Sequence, residues 1–216
     1  MNRSKLYLHN AVCVLAAGAV VASMLAAVGC GQRSTHTANS SEAEQMPYEE
    51  RLSLAMRALD RGRNFQDRGN LEAAEAEFKN SLELLPDLGA AWNNLGLIYM
   101  TQDRTLEADA AFRAAADAMP TDPRPLVNLG ILLHRRGHAT QARTAFLNAL
   151  QRDPNHVEAL RGAYVADVAL RTTDEEMLDR VSRALLIERD PVWLEKYRYE
   201  KLRIEQALRE KVLEYR

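Results

Sequence analysis

His134 and His138 stand four residues apart, the spacing at which one face of a helix offers two imidazoles to a metal ion. Gly137 lies between them and marks a turn, which sends the two rings to different elements. No cysteine or carboxylate close by completes a ligand set. The chain has two cysteines, Cys13 inside an apolar run and Cys30 just after it, so no disulfide framework is available to the remainder. The acidic pairs Glu49-Glu50 and Glu175-Glu176 read as helix starts, where negative charge complements the helix dipole. Neither a Gly-x-Ser-x-Gly elbow, nor a Walker loop, nor a glycine-rich dinucleotide turn occurs. The residue types predict no catalysis, no metal and no cofactor, which leaves recognition by a surface as the chemistry to explain.

A surface needs a scaffold and a location, and the N-terminal residues speak to the second. Residues 1–29, MNRSKLYLHNAVCVLAAGAVVASMLAAVG, place Arg3 and Lys5 ahead of an uncharged run that ends in small residues before Cys30. That is the layout of an export signal. Its end, Ala27-Val28-Gly29-Cys30, resembles the lipobox of bacterial lipoproteins, in which the cysteine is lipidated and becomes the mature N-terminus. The resemblance implies a signal peptide over 1–29, lipidation at Cys30, and a flexible linker over 30–46 whose GQRSTHTANSSEAEQ stretch is a polar tether. The alternative for the apolar run is an uncleaved membrane helix, since Ala11 to Val28 is just long enough to span a bilayer. Gly31, in place of an aspartate after the cysteine, implies an outer membrane location facing the periplasm in a two-membrane cell. With 27% charged and 47% hydrophobic residues and a formal net charge of −2, nucleic acid is not an expected partner.

The scaffold shows itself in the stretch WNNLGLIY, residues 92–99, where Trp92, Leu95, Gly96 and Tyr99 share one helix face. Gly62, Gly96 and Gly130 recur at intervals of 34 residues, and their companions recur with them. After Gly96 come Ala108, Phe112, Ala115 and Pro120; around Gly130 stand Leu126, Leu129, Leu133, Ala142, Phe146, Ala149 and Pro154; around Gly62 stand Ala58, Phe65, Ala74, Phe78, Ser81 and Pro86. This pattern resembles the tetratricopeptide repeat (TPR), a helix-turn-helix unit of 34 residues. It implies an all-α solenoid of antiparallel helix pairs, with three units at 55–88, 89–122 and 123–156 inside a domain that begins at 47. In such units the small residues let paired helices approach, the aromatics fill the space around them, and the prolines end each second helix. Gly69 and Gly137 fit the turn between helices, and Asp103 takes that place in the middle copy.

Beyond the third unit, residues 157–190 keep helical periodicity but lose the motif, with Tyr164 where glycine belongs. They predict a degenerate fourth helical pair, split at Thr172-Thr173-Asp174, with either threonine as the cap of its second helix. Residues 191–216 predict a C-terminal capping helix whose inner face carries Leu194, Tyr197, Ile204, Leu208, Val212 and Tyr215. In the resembled family the first helix of each unit lines a concave groove that takes an extended peptide or a partner helix. Carried over by register, the groove residues are Arg63, Asn93, Asn94, Leu97, Met100, Arg124, Asn128, Ile131, His134 and Arg135. Asn94 and Arg124 match two residues of the five-residue carboxylate clamp of chaperone-binding members, whereas Leu59, Arg63 and Asn128 depart from it, so a chaperone tail is not expected. The expected function is a membrane-anchored interaction scaffold of the bacterial envelope that holds a partner protein or peptide in this groove. Pilotin-like assistance to pilus or secretion-system assembly is the first role expected. An adaptor for peptidoglycan hydrolases, or an enzyme accessory role for the C-terminal region, is the alternative.

Overall fold

Prolines spaced by the repeat decide where the helices stop. In the computed structural model, which describes residues 45–214, second helices end at Leu84, Ala118 and Arg152, each two residues before Pro86, Pro120 or Pro154. Leu85, Met119 and Asp153, which precede those prolines, have φ and ψ of −137 and 92, −126 and 71, and −138 and 99 degrees. Leu85 and Asp153 are extended and Met119 has also left the helical region, because a following proline ring disfavours the helical conformation in its neighbour. The described residues form helices only: α1 (Tyr48–Asp67), α2 (Leu71–Leu84), α3 (Gly89–Thr101), α4 (Thr105–Ala118), α5 (Arg124–Arg135), α6 (Ala139–Arg152), α7 (Val157–Ala169), α8 (Glu175–Ile187) and α9 (Pro191–Glu214). The expected all-α solenoid is what the chain forms. Cys30, its lipidation, the signal at 1–29, most of the linker and Tyr215 lie outside the described residues.

Each pair turns through one residue of left-handed backbone. Gly69 has φ +76, Asp103 +58 and Gly137 +79, as the spacing predicts. A fourth such residue, Arg171 at φ +55, stands another 34 positions on. The period therefore continues through a pair whose motif is lost.

The repeated glycines make room for the repeated phenylalanines. A Cβ placed on Gly62 would lie 2.5 Å from the Phe78 ring, on Gly96 2.6 Å from Phe112, and on Gly130 2.6 Å from Phe146. Phe78 and Phe112 are completely buried and Phe146 nearly so. Burying each ring contributes about 1.5–3 kcal/mol, which only the missing side chain permits. Neighbouring units are also tied by polar bridges. Arg152 donates to the carbonyls of Ala116, Met119 and Asp122 at 2.9–3.0 Å, satisfying the end of α4 from the end of α6.

The fourth pair is built on different principles. Tyr164 replaces the glycine and packs edge-on against Trp193 and Tyr197 of α9, at 6.0 and 5.2 Å between centroids. Asp167 and Arg180 occupy the places of the repeat's Tyr99 and Phe112, and Arg180 donates to Asp167 at 2.7 Å. Arg143 of α6 donates to the other carboxylate oxygen at 2.6 Å, so a buried acid sits between two arginines. The cap of α8 is Asp174, which accepts from the Met177 amide at 2.7 Å, and not Thr172 or Thr173. A carboxylate outcompetes a hydroxyl there because it brings charge to the positive end of the helix. On α9 the inner face comprises Trp193, Tyr197, Ile204 and Leu208, whereas Val212 is 57% exposed because the helix runs past the last element it packs on.

Candidate functional site

First helices α1, α3, α5 and α7 touch one another in succession, and each second helix packs on the first helix of the next unit. The first helices thus form the inner side of the stack, and every groove residue named from the sequence is on one of α1, α3 or α5. Their surroundings differ. Asn128 donates its amide to the Asn93 side-chain oxygen at 2.9 Å, so these two satisfy each other across adjacent units. Arg124 turns back to Asp122, donating from Nε at 3.0 Å to both carboxylate oxygens, and that bond holds the Asp122 carboxyl below its ordinary range. Arg63 pairs with Asp60 on its own helix at 3.4 Å. Leu97, Met100 and Ile131 are half-buried against the core, Asn94 is half-buried, and His134 and Arg135 are exposed. His138 begins α6 while His134 ends α5, and among the described residues no group of three or more His, Cys, Asp or Glu side chains could hold a metal ion.

Ile131, His134 and Arg135 converge on a cavity of about 320 Å³ between α5 and α7. Phe146, Gly162, Val165 and Trp193 supply the rest of its apolar wall, and Glu158 and Arg161 stand at its edge. Glu158, Gly162 and Val165 are the positions of Arg124, Asn128 and Ile131 advanced by one 34-residue period. That arithmetic was the signal for them, and Tyr164 in the glycine position obscured it. Trp193 comes from α9, for which no register exists. Gly162 opens the floor: a Cβ there would lie 2.3 Å from the Phe146 ring, so this ring is enclosed by Gly130 on one side and Gly162 on the other.

Charge around the cavity is fixed by a short network. Arg161 donates from Nε and Nη2 to Glu188 at 2.8 and 2.7 Å. Those bonds, with amide donation from Arg189 and Asp190, hold the buried Glu188 carboxyl down at about 2. The Arg161 guanidinium lies 5.2 Å from the Trp193 ring and the Lys196 ammonium 4.4 Å, so the indole has two cations within cation–π reach. Burial pushes the Tyr197 hydroxyl well above its usual range and that of Tyr164 up. Arg161 is thus committed to Glu188, while Arg135 makes no ion pair among the described residues and points its charge at whatever enters. A larger depression of about 650 Å³ lies between α6 and α8 on the other side, lined by Glu175, Glu176, Asp179, Arg180 and Arg183. Its wall is charged of both signs, which suits solvent better than an apolar anchor.

A stack of helix pairs at 34-residue spacing, with an inner face of first helices, defines the class of repeat solenoids that work as interaction scaffolds. Residues 59–123 match the family model described as tetratricopeptide repeat. Those residues carry tetratricopeptide repeats, and the helices on either side continue the same fold. Over 121 residues it is 31% identical to the general transcriptional corepressor ssn6 of Schizosaccharomyces pombe, covering 55% of this chain and only 10% of that protein's length. Among solved structures, a tetratricopeptide repeat protein from Parabacteroides merdae superposes with a TM-score of 0.57 at 22% identity, covering 74% of this chain and 67% of the other. The first TPR of Spaghetti (RPAP3), bound to an HSP90 peptide, superposes with a TM-score of 0.53 at 15% identity, covering 56% of this chain and 96% of the other. These likenesses concern the fold.

Proposed function

We propose that this chain is an envelope adaptor, held to a bacterial outer membrane by lipid on Cys30, which grips a segment of a partner protein along the inner face of its helix stack. The observation that carries the reading is the cavity between α5 and α7, which joins an apolar wall of Ile131, Phe146, Val165 and Trp193 to the uncommitted cation of Arg135. A partner segment with an apolar side chain beside a carboxylate matches it, because burial supplies affinity and a charge-assisted bond supplies orientation. About 320 Å³ is near the small end of ligand cavities and accommodates a side chain or two, not a large cofactor. Assistance to pilus or secretion-system assembly, in the manner of pilotins, is the envelope role we favour; an adaptor for peptidoglycan hydrolases makes the same demand on the groove.

The test is site-specific photo-crosslinking in cells, with the reactive residue at Arg135 or at the exposed Glu83 on α2. The reading expects an envelope-protein adduct from position 135 and none from 83. Equal labelling from both positions, or an adduct from 83 alone, refutes the groove. For the anchor, Cys30→Ser is expected to move the chain out of the membrane fraction, because two or more acyl chains at about 0.8 kcal/mol per buried CH₂ supply the attachment. A Cys30→Ser chain that is processed and sediments as the wild type does removes lipidation from the proposal.

A further inference from the structure

The outer face of α9 carries apolar side chains that neither the core nor the groove uses. Val192, Tyr199, Leu202 and Leu213 are 59, 69, 67 and 69% exposed on this last helix, although each is a residue that burial would favour. They are not scattered. Val192, Tyr199, Gln206 and Leu213 follow one another at seven-residue intervals, and Glu195, Leu202 and Arg209 do so three positions later, so the two rows lie side by side along one face. The opposite face of α9, with Trp193, Tyr197 and Ile204, is the one packed on the fourth pair. What is exposed is therefore a complete helix seam.

The charges along the seam say what fits it. Leu202 lies at its centre, with Glu195 seven residues before and Arg209 seven after. Neither forms an ion pair among the described residues. A second α9 laid antiparallel over the first, with the two-fold axis beside Leu202, brings Glu195 of each helix to Arg209 of the other. It also sets Leu202 against Leu202. A parallel arrangement sets Glu195 against Glu195 and Arg209 against Arg209, which opposes association. The seam is thus complementary to itself in one orientation only, as a two-fold interface requires.

We infer that the chain forms a homodimer through an antiparallel α9 pair centred on Leu202. The 24-residue helix is about 36 Å long. One helix pair of this length falls below about 1,200 Å² of buried surface, in the range of reversible association. Dimerisation is accordingly concentration-dependent. It leaves the inner face of each stack open, since that face belongs to α1, α3, α5 and α7.

Sedimentation equilibrium of the full-length chain, purified in a density-matched mild detergent, tests the inference. Wild type is expected to pass from one chain mass to two as concentration rises. Glu195→Arg places four cations on the seam of a dimer and is expected to weaken association by about ten-fold or more. Glu195→Arg combined with Arg209→Glu reverses both charges and is expected to restore association to near the wild-type constant, which a merely destabilised helix cannot do. A wild-type chain that remains single at every concentration overturns the dimer and leaves the seam to a different protein. A dimer that Glu195→Arg leaves unchanged, or that the double substitution fails to restore, places the interface elsewhere and overturns the inference equally.

Discussion

The buried acid of the fourth pair gives the most decisive perturbation. Asp167 is inaccessible to solvent and accepts from Arg143 at 2.6 Å and Arg180 at 2.7 Å. Arg143 is 24% exposed and also reaches Asp174 at 3.8 Å, so it can find water or another acid if Asp167 is lost. Arg180 cannot: its side chain is 10% exposed and its other acidic neighbour, Glu176, is 3.8 Å away and largely in solvent. Asp167→Leu therefore strands one buried guanidinium, for which removal of a partner costs about 3–5 kcal/mol. In a domain of this size that corresponds to roughly 2–4 °C of melting temperature per kcal/mol. Asp167→Leu with Arg180→Leu removes both charges and refills the space with carbon, and should recover most of the loss, because replacing a buried pair by apolar residues is often close to neutral. The assay is urea unfolding followed by circular dichroism and by tryptophan emission. Trp193 packs on Tyr164 of the fourth pair and Trp92 belongs to the second unit, so a loss confined to the fourth pair appears first in the Trp193 signal. If Asp167→Leu costs under about 1 kcal/mol, or if the double substitution costs the sum of the two single ones, the ion cluster does not hold the pair together.

Two further outcomes follow from the same region. Glu188 has a folded-state value held at about 2 against an ordinary 4.5, so it contributes stability that is fully present above the ordinary value and is lost as pH falls through about 2. Acid titration of Trp193 emission should show unfolding of the C-terminal pair developing below about pH 4.5, and Glu188→Gln should already be destabilised at neutral pH and flatten that dependence; an unchanged acid profile refutes the assignment. Arg171 sits at φ +55, where a β-carbon costs roughly 1–2 kcal/mol and glycine nothing. After the entropy that glycine adds to the unfolded chain, Arg171→Gly should still stabilise by up to about 1 kcal/mol in urea titration, whereas a loss of stability would show that the arginine is held there by contacts worth more than the strain.

Three units of this fold were legible because their physics is local and repeated. Glycine and phenylalanine sixteen residues apart, proline at each end and a left-handed residue at each turn all recur at 34, and Asp103 could be placed at a positive φ from its register alone. The fourth pair was legible as two helices at 157–190, but not in its packing, which is solved from outside. Tyr164 finds its partners on α9 and Asp167 finds one of its arginines on α6, so neither contact leaves a period in the sequence. Arg171 was the surviving sign, one period past Gly137, and was hidden by being an arginine. At the groove, register places side chains on a helix face but does not say what else competes for them. Asp122 takes Arg124 and Asn93 takes Asn128, both through local geometry that spacing does not express.

Phe146 has a position that no other phenylalanine of the stack shares. Its ring fills the joint between the third and fourth pairs, clasped by Gly130 and Gly162, and the same ring forms part of the cavity wall. The wall between groove and core is there one side chain thick. Whatever lodges in the cavity touches the ring on which the fourth pair packs, so occupancy and the order of that joint are thermodynamically linked. An occupant that binds the ordered joint more tightly than a loosened one stabilises the joint by that difference in binding free energy, and by no more.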